Sequence, residues 1–144
     1  MRLKNMFLCD AATANHDNTF SVLRGGISAL NFVVPPNGDL SEIRPFQLTL
    51  VATIELDSAE MGQEHQVVLI FMDIDGKRVL PDIHTSFQPP HSPHKGYFNL
   101  IINSMLKVMR PGEYHFYVNV DGQELGTQPL TVSFHQTSSP QLPS

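Results

Sequence analysis

The chain has 144 residues, 41% of them hydrophobic and 16% charged, with a net charge of −5. That is the length of one domain, and folding at this length buries about 68–70% of the unfolded surface without a metal or disulfide. The nine basic residues are scattered, which argues against the clustered cations that nucleic-acid binding requires. Cys9 is the sole cysteine, so no intramolecular disulfide is expected. Beside Phe7 and Leu8 it reads as a buried, unreactive thiol. Arg2 and Lys4 precede the apolar stretch Met6-Phe7-Leu8-Cys9. That stretch is too short for the core of a secretion signal, and Asp10 ends it. No run reaches the length of a membrane span, and a cytoplasmic protein with no membrane or nucleic-acid partner is the expectation.

Apolar residues alternate with polar ones at a period of two almost everywhere, the mark of strands with one face on a core. The first strand is predicted from Lys4 to Cys9, and Asn15-His16-Asp17-Asn18 reads as a turn. Strands follow from Thr19 to Arg24 and from Ile27 to Val34, with a kink or bulge at Gly25-Gly26. After the loop Pro35-Pro36-Asn37-Gly38, closed at Pro45, comes the most regular strand, Phe46–Leu56. Asp57–Gly62 has room for one helical turn. Gln66–Ile74 is the next strand, Asp75-Gly76 its hairpin turn and Lys77–Leu80 a short partner.

Pro81–Lys95, with four prolines and three histidines, has no period and is read as a long loop. Tyr97–Met105 is a strand and Arg110-Pro111-Gly112 a turn. Glu113–Val120, Asp121-Gly122 and Gln123–Phe134 form the last hairpin. Eight or nine strands at regular spacing predict an all-β fold: a single antiparallel β-sandwich, loosely immunoglobulin-like, over residues 1–135, with 136–144 as a disordered C-terminal tail. The Cys–Trp–Cys core of antibody domains is absent. A two-residue loop at Asp121-Gly122 places Leu125 opposite Val118, yet Leu130, Val132 and Phe134 have the other parity. One extra residue is required between them, and Gly126 is the expected bulge.

Chemistry-bearing motifs are few. Asp73-Ile74-Asp75-Gly76 begins like a calcium loop, but position twelve is His84 rather than Glu, and Asp-Gly between apolar runs signals a hairpin. Gly-x-Ser-x-Gly is absent. His84, His91 and His94 share one loop, and three imidazoles can hold zinc with an open position. No Asp or Glu lies between residues 83 and 112, so no metal or cofactor is assigned, and the segment is read as a contact loop of unusual length. Val67–Met72 is apolar on both faces, which fits either a covered inner strand or an interface carried by Val68, Ile70 and Met72. The outward face of the last hairpin carries His115, Tyr117, Thr131, Ser133 and His135, a mixture suited to partner recognition. The absence of Trp and the three Tyr argue against a sugar-stacking platform.

Four segments occur in a characteristic order: Phe7-Leu8-Cys9-Asp10-Ala11-Ala12, Val22-Leu23-Arg24-Gly25-Gly26-Ile27, Glu64-His65-Gln66-Val67 through Asp73-Ile74-Asp75-Gly76, and Pro111-Gly112-Glu113-Tyr114 through Val120-Asp121-Gly122. In this arrangement the chain resembles, over residues 3–134, a family of small bacterial proteins known only as a domain of unknown function. The resemblance implies a compact β-sandwich with no assigned activity and no catalytic residues to transfer. Pro81–Lys95 lies outside its motifs. The expected function is therefore a non-enzymatic recognition module for a protein or small ligand, with His84, His91, His94, His115, Tyr117 and His135 as binding candidates and a homodimer as one form of partnership. The alternatives are a structural subunit docking through Val67–Met72 and a metal-dependent hydrolase using His84, His91 and His94.

Overall fold

The period-two pattern becomes strands throughout a computed structural model that describes residues 1–41, 43–107 and 109–136. Ten strands follow in order: β1 (Arg2–Cys9), β2 (Ala11–Ala14), β3 (Phe20–Leu23), β4 (Ala29–Val34), β5 (Phe46–Leu56), β6 (His65–Asp73), β7 (Ile83–Phe87), β8 (Gly96–Leu106), β9 (Gly112–Val120) and β10 (Gln123–Gln136). A three-stranded sheet has the order β1-β5-β8. A five-stranded sheet, curled into a half-barrel, has the order β4-β10-β9-β6-β7, and β2 pairs with β3 as a separate hairpin. No helix among the described residues is long and apolar enough to cross a membrane.

Inward side chains of both sheets meet in one core, with Leu50 and Ile54 from β5 facing Leu69 and Phe71 from β6 and Phe116 from β9. Phe71 and Phe116 are cross-strand partners whose rings stack at 4.0 Å between centroids. Such a pair adds attraction beyond the area it buries. β5 departs from alternating burial, because every residue from Leu48 to Leu56 is buried. Leu48, Leu50, Ala52, Ile54 and Leu56 face the core; Thr49, Val51, Thr53 and Glu55 face the other way. β2 packs on that outer side, against β5 and β8.

The polar groups buried there are satisfied. Thr49 and Thr53 donate to the side-chain carbonyls of Asn103 and Asn99 at 2.7 and 2.9 Å. Glu55 accepts from Arg2 Nε at 2.8 Å and pairs with Lys95. Cys9, opposite Thr49 on the same side, is fully buried, and burial pushes its thiol pKa up.

Several sequence expectations change. The all-β fold is not wholly antiparallel: β4 runs parallel to β10, Ala29–Val34 alongside Thr131–Gln136. The switch occurs at the expected glycine kink, where Gly26 and Ile27 both donate to the Leu8 carbonyl at 2.9 Å. Thr131 N then donates to Ser28 O at 3.0 Å, so the chain passes from one sheet to the other within three residues. The described residues form ten strands because β2 and β7 arise where no alternation was visible. Pro81–Lys95 is not one loop, since β7 within it pairs with β6. The expected strand at Lys77–Leu80 shrinks to a single bridge between Met72 and Arg78.

The extra residue of the last hairpin exists, but it is Leu125 rather than Gly126: Glu124 pairs with Asn119 and Gly126 with Val118. Gly126 faces inward against Leu3, where a Cβ would collide, so the larger Leu125 is displaced into the bulge. Gln136 still belongs to β10, and the expected tail beyond it lies outside the described residues.

The Asp57–Gly62 segment closes one turn, with Met61 N donating to Asp57 O at 3.3 Å. The proline-rich segment docks on it: Gly62 N donates to Pro89 O at 2.9 Å and Gln88 Nε2 donates to Gly62 O at 3.0 Å. Gly62 has φ +80° and a Cβ there would lie 3.2 Å from His91 Cα, whereas Gly76 at φ +82° has open space around it. Gly76→Ala is therefore expected to cost only the left-handed penalty of about 1–2 kcal/mol, and Gly62→Ala more than that. Urea denaturation of both variants measures the difference, which reports the docking of the Pro89–His91 segment.

Candidate functional site

Register collects most of the sequence candidates on the outward side of the five-stranded sheet. Met72 lies beside His115, which lies beside Pro129; Ile70 lies beside Tyr117, which lies beside Thr127; Val68 lies between Asn119 and His84. The His115 and Tyr117 rings are 6.2 Å apart between centroids. None of these nine positions is Asp, Glu, Lys or Arg. Val68, Ile70 and Met72 are half-buried. β6 is thus an inner strand whose second apolar face is only partly covered. Charge depletion with Tyr, Met and aliphatic side chains is what the centre of a protein interface looks like.

The remaining candidates fall elsewhere. His135 points out from the same sheet but at its far end, beside Val33, which is 55% exposed. His91 lies against Gly62, and His94 follows in a turn where its N–H donates to Ser92 Oγ at 3.1 Å. Pairing with Val68 draws His84 into β7 and away from both. Among the described residues no three His, Cys, Asp or Glu side chains are grouped to hold a metal ion, so the three-imidazole arrangement behind the hydrolase reading is not assembled. Asp73 Oδ1 accepts from the N–H groups of Asp75 and Lys77, both at 2.9 Å, which makes it a turn cap.

His65 is the residue that the sequence reading passed over. It opens β6 on the inward side and is 5% exposed. Its Nδ1 is 2.6 Å from Asp121 Oδ2 and its Nε2 is 2.8 Å from the Glu60 carbonyl. Both ring nitrogens face acceptors, so both must donate and the imidazolium is favoured. Asp121 occupies the left-handed position of the β9–β10 turn at φ +51°, and its Oδ1 also accepts from Gln66 N at 2.9 Å. One carboxylate therefore ties the last hairpin to the start of β6.

Burial works against the charge on His65, but the hydrogen bonds to Asp121 and Glu60 outweigh it, and the pKa is raised. The His65 hydrogen bond, followed by that from Gln66 N, lowers the Asp121 pKa. The raised His65 pKa contributes stability in full below its unfolded value and loses it as pH rises through the folded value. The lowered Asp121 pKa contributes above its unfolded value and loses it as pH falls through the folded one. Both contributions are in force between about pH 4 and pH 6.5. Asp121→Asn is expected to destabilise the fold most in that window and less at alkaline pH, as measured by thermal unfolding of both proteins across pH.

No curated protein matches the chain. A family model matches residues 4–133, nearly the span of the motif resemblance and including Pro81–Lys95, which those motifs leave out. That model is of a family of unknown function, DUF6941, and the chain belongs to it.

Proposed function

We propose that the chain is a non-enzymatic recognition module on an immunoglobulin-like β-sandwich, and that it docks a protein surface through the outward side of the five-stranded sheet. The observation behind this is the uncharged patch of Val68, Ile70, Met72, His115 and Tyr117 in adjacent register. Two features support the immunoglobulin-like assignment. The first strands divide between the layers, β1 beside β5 and β4 beside β10. At the start of β9, Tyr114 OH donates to the Arg110 carbonyl at 2.6 Å, the same device as the tyrosine corner of such sandwiches. A fully buried lone cysteine and the lack of disulfides suit a reducing compartment such as the cytoplasm.

The occupant that this patch fits is a second copy of the chain. The protein carries a net charge of −5, so most of its surfaces oppose self-association. The nine positions themselves bring no like charges together, with Glu124 beside Asn119 and Arg78 against Met72 at their border. The nine positions span on the order of 300 Å² in projection, well below the ~800 Å² per partner of a standard interface, so the dimer is a weak, reversible one.

Sedimentation velocity from about 5 to about 500 µM is expected to show a monomer–dimer equilibrium that Ile70→Glu abolishes while circular dichroism confirms an intact fold. A monomer throughout that range, or a dimer indifferent to Ile70→Glu, overturns the assignment.

A further inference from the structure

The outer side of the other layer holds a second feature, around Tyr97 at the start of β8. Tyr97 is 41% exposed and borders two clefts of 430 Å³ each, which also share Asn18. Each volume falls in the range of small-molecule sites. One cleft has a floor of Met61, Pro90 and Phe98 and a rim of Asn15, His16 and Ser92. The other is bordered by Lys4, Asn5, Thr19, Thr53 and Asn99. Neither contains a carboxylate, and Lys4 is the one cation between them.

The wall between the clefts is held in place from both sides. Asn18 adopts φ +63°, its side-chain amide donates to the Tyr97 carbonyl at 3.4 Å, and its own carbonyl accepts from Asn99 Nδ2 at 2.9 Å. Asn15 Nδ2 donates to the hydroxyls of Thr19 and Ser21 at 3.1 and 3.2 Å. These bonds spend both amide N–H groups of Asn15 and one of the two of Asn18, and leave the side-chain carbonyls of both without a donor among the described residues. Lys4 Nζ lies 4.4 Å from the Tyr97 ring centroid. Lys4 borders only one of the two clefts, and Tyr97 lines the other without it.

The chemistry of the lining selects the ligand. A cation finds no carboxylate and an anion finds one ammonium already engaged with a ring. A purely apolar ligand would leave the side-chain carbonyls of Asn15 and Asn18, and the second N–H groups of Asn18 and Asn99, without partners. A ligand with hydroxyls on its edge and an apolar C–H face satisfies both the free Asn amide groups and the exposed ring. We propose that the Tyr97 clefts form a binding site for a neutral saccharide of one or two rings. The absence of Trp, which in the sequence argues against such a platform, limits the site to one Tyr ring and to weak binding.

The test is a heteronuclear NMR titration of the full chain with cellobiose, maltose and N,N′-diacetylchitobiose, each to about 50 mM. Saturating shifts of amides in residues 15–20 and 96–99 are expected with at least one of the three, at a Kd of about 1–10 mM. Tyr97→Ala should weaken that binding about tenfold and Tyr97→Phe should preserve it. The Tyr97 side chain points to solvent and its strand pairing is through the backbone, so both variants retain the fold. The proposal fails if none of the disaccharides gives a saturating shift, if the shifts map elsewhere, or if Tyr97→Ala leaves them unchanged.

Discussion

A strand with no solvent-facing side sets the terms for everything around it. β5 buries nine consecutive residues, three of them Thr49, Thr53 and Glu55. Leaving such groups buried without partners costs about 1–3 kcal/mol for each hydroxyl and more for a carboxylate. Each has a partner on a neighbouring strand or loop: Asn103, Asn99, and the pair Arg2 and Lys95. The β2–β3 hairpin is what keeps water from that side. Its turn is anchored by the same Asn99 that satisfies Thr53. The three-stranded sheet, its hairpin cover and the Lys95 end of the proline-rich segment therefore stand or fall together.

The second layer depends on turn residues that do more than turn. Asp121 takes the left-handed backbone of a two-residue hairpin and sends its carboxylate to β6, while Tyr114 returns a hydroxyl to the turn before β9. Backbone geometry and side-chain charge thus lock the five-stranded sheet at both ends of β9, and the middle of its outer side is left free of charge. The amide-lined clefts lie on the opposite outer side, over β5 and β8. Two surfaces of different chemistry face away from one shared core.

The sequence made the long strands legible because alternation there is uninterrupted: the bounds of β5 are those the pattern predicts, and those of β6, β8, β9 and β10 shift by only one or two residues. β2 was hidden because Ala11-Ala12-Thr13-Ala14 has no large apolar side chain to alternate. β7 was hidden because prolines bracket five residues of which only Ile83 and Phe87 are apolar. Parallel pairing of β4 with β10 leaves no local trace, since the partners are about a hundred positions apart and joined by no turn. Of the candidate site, the double apolar face of β6 and the outward parity of His115 and Tyr117 were readable. Their meeting with His84 required β7. His65 escaped notice because a strand begun at Gln66 leaves it in a loop, although its parity with Val67, Leu69 and Phe71 marks an inward position.

The parallel pairing also bears on the order of events during synthesis. Residues 29–34 emerge from the ribosome early, yet the strand they lie against, residues 131–136, emerges about a hundred residues later. Loop closure over that separation is entropically demanding and slows folding. Until then β4, with Val33 facing outward and Leu30 and Phe32 toward a core not yet roofed, presents an unpaired apolar edge. β4 is accordingly most open to misassociation before residues 131–136 are made, and pairing with β10 covers one of its two edges while Val33 stays exposed.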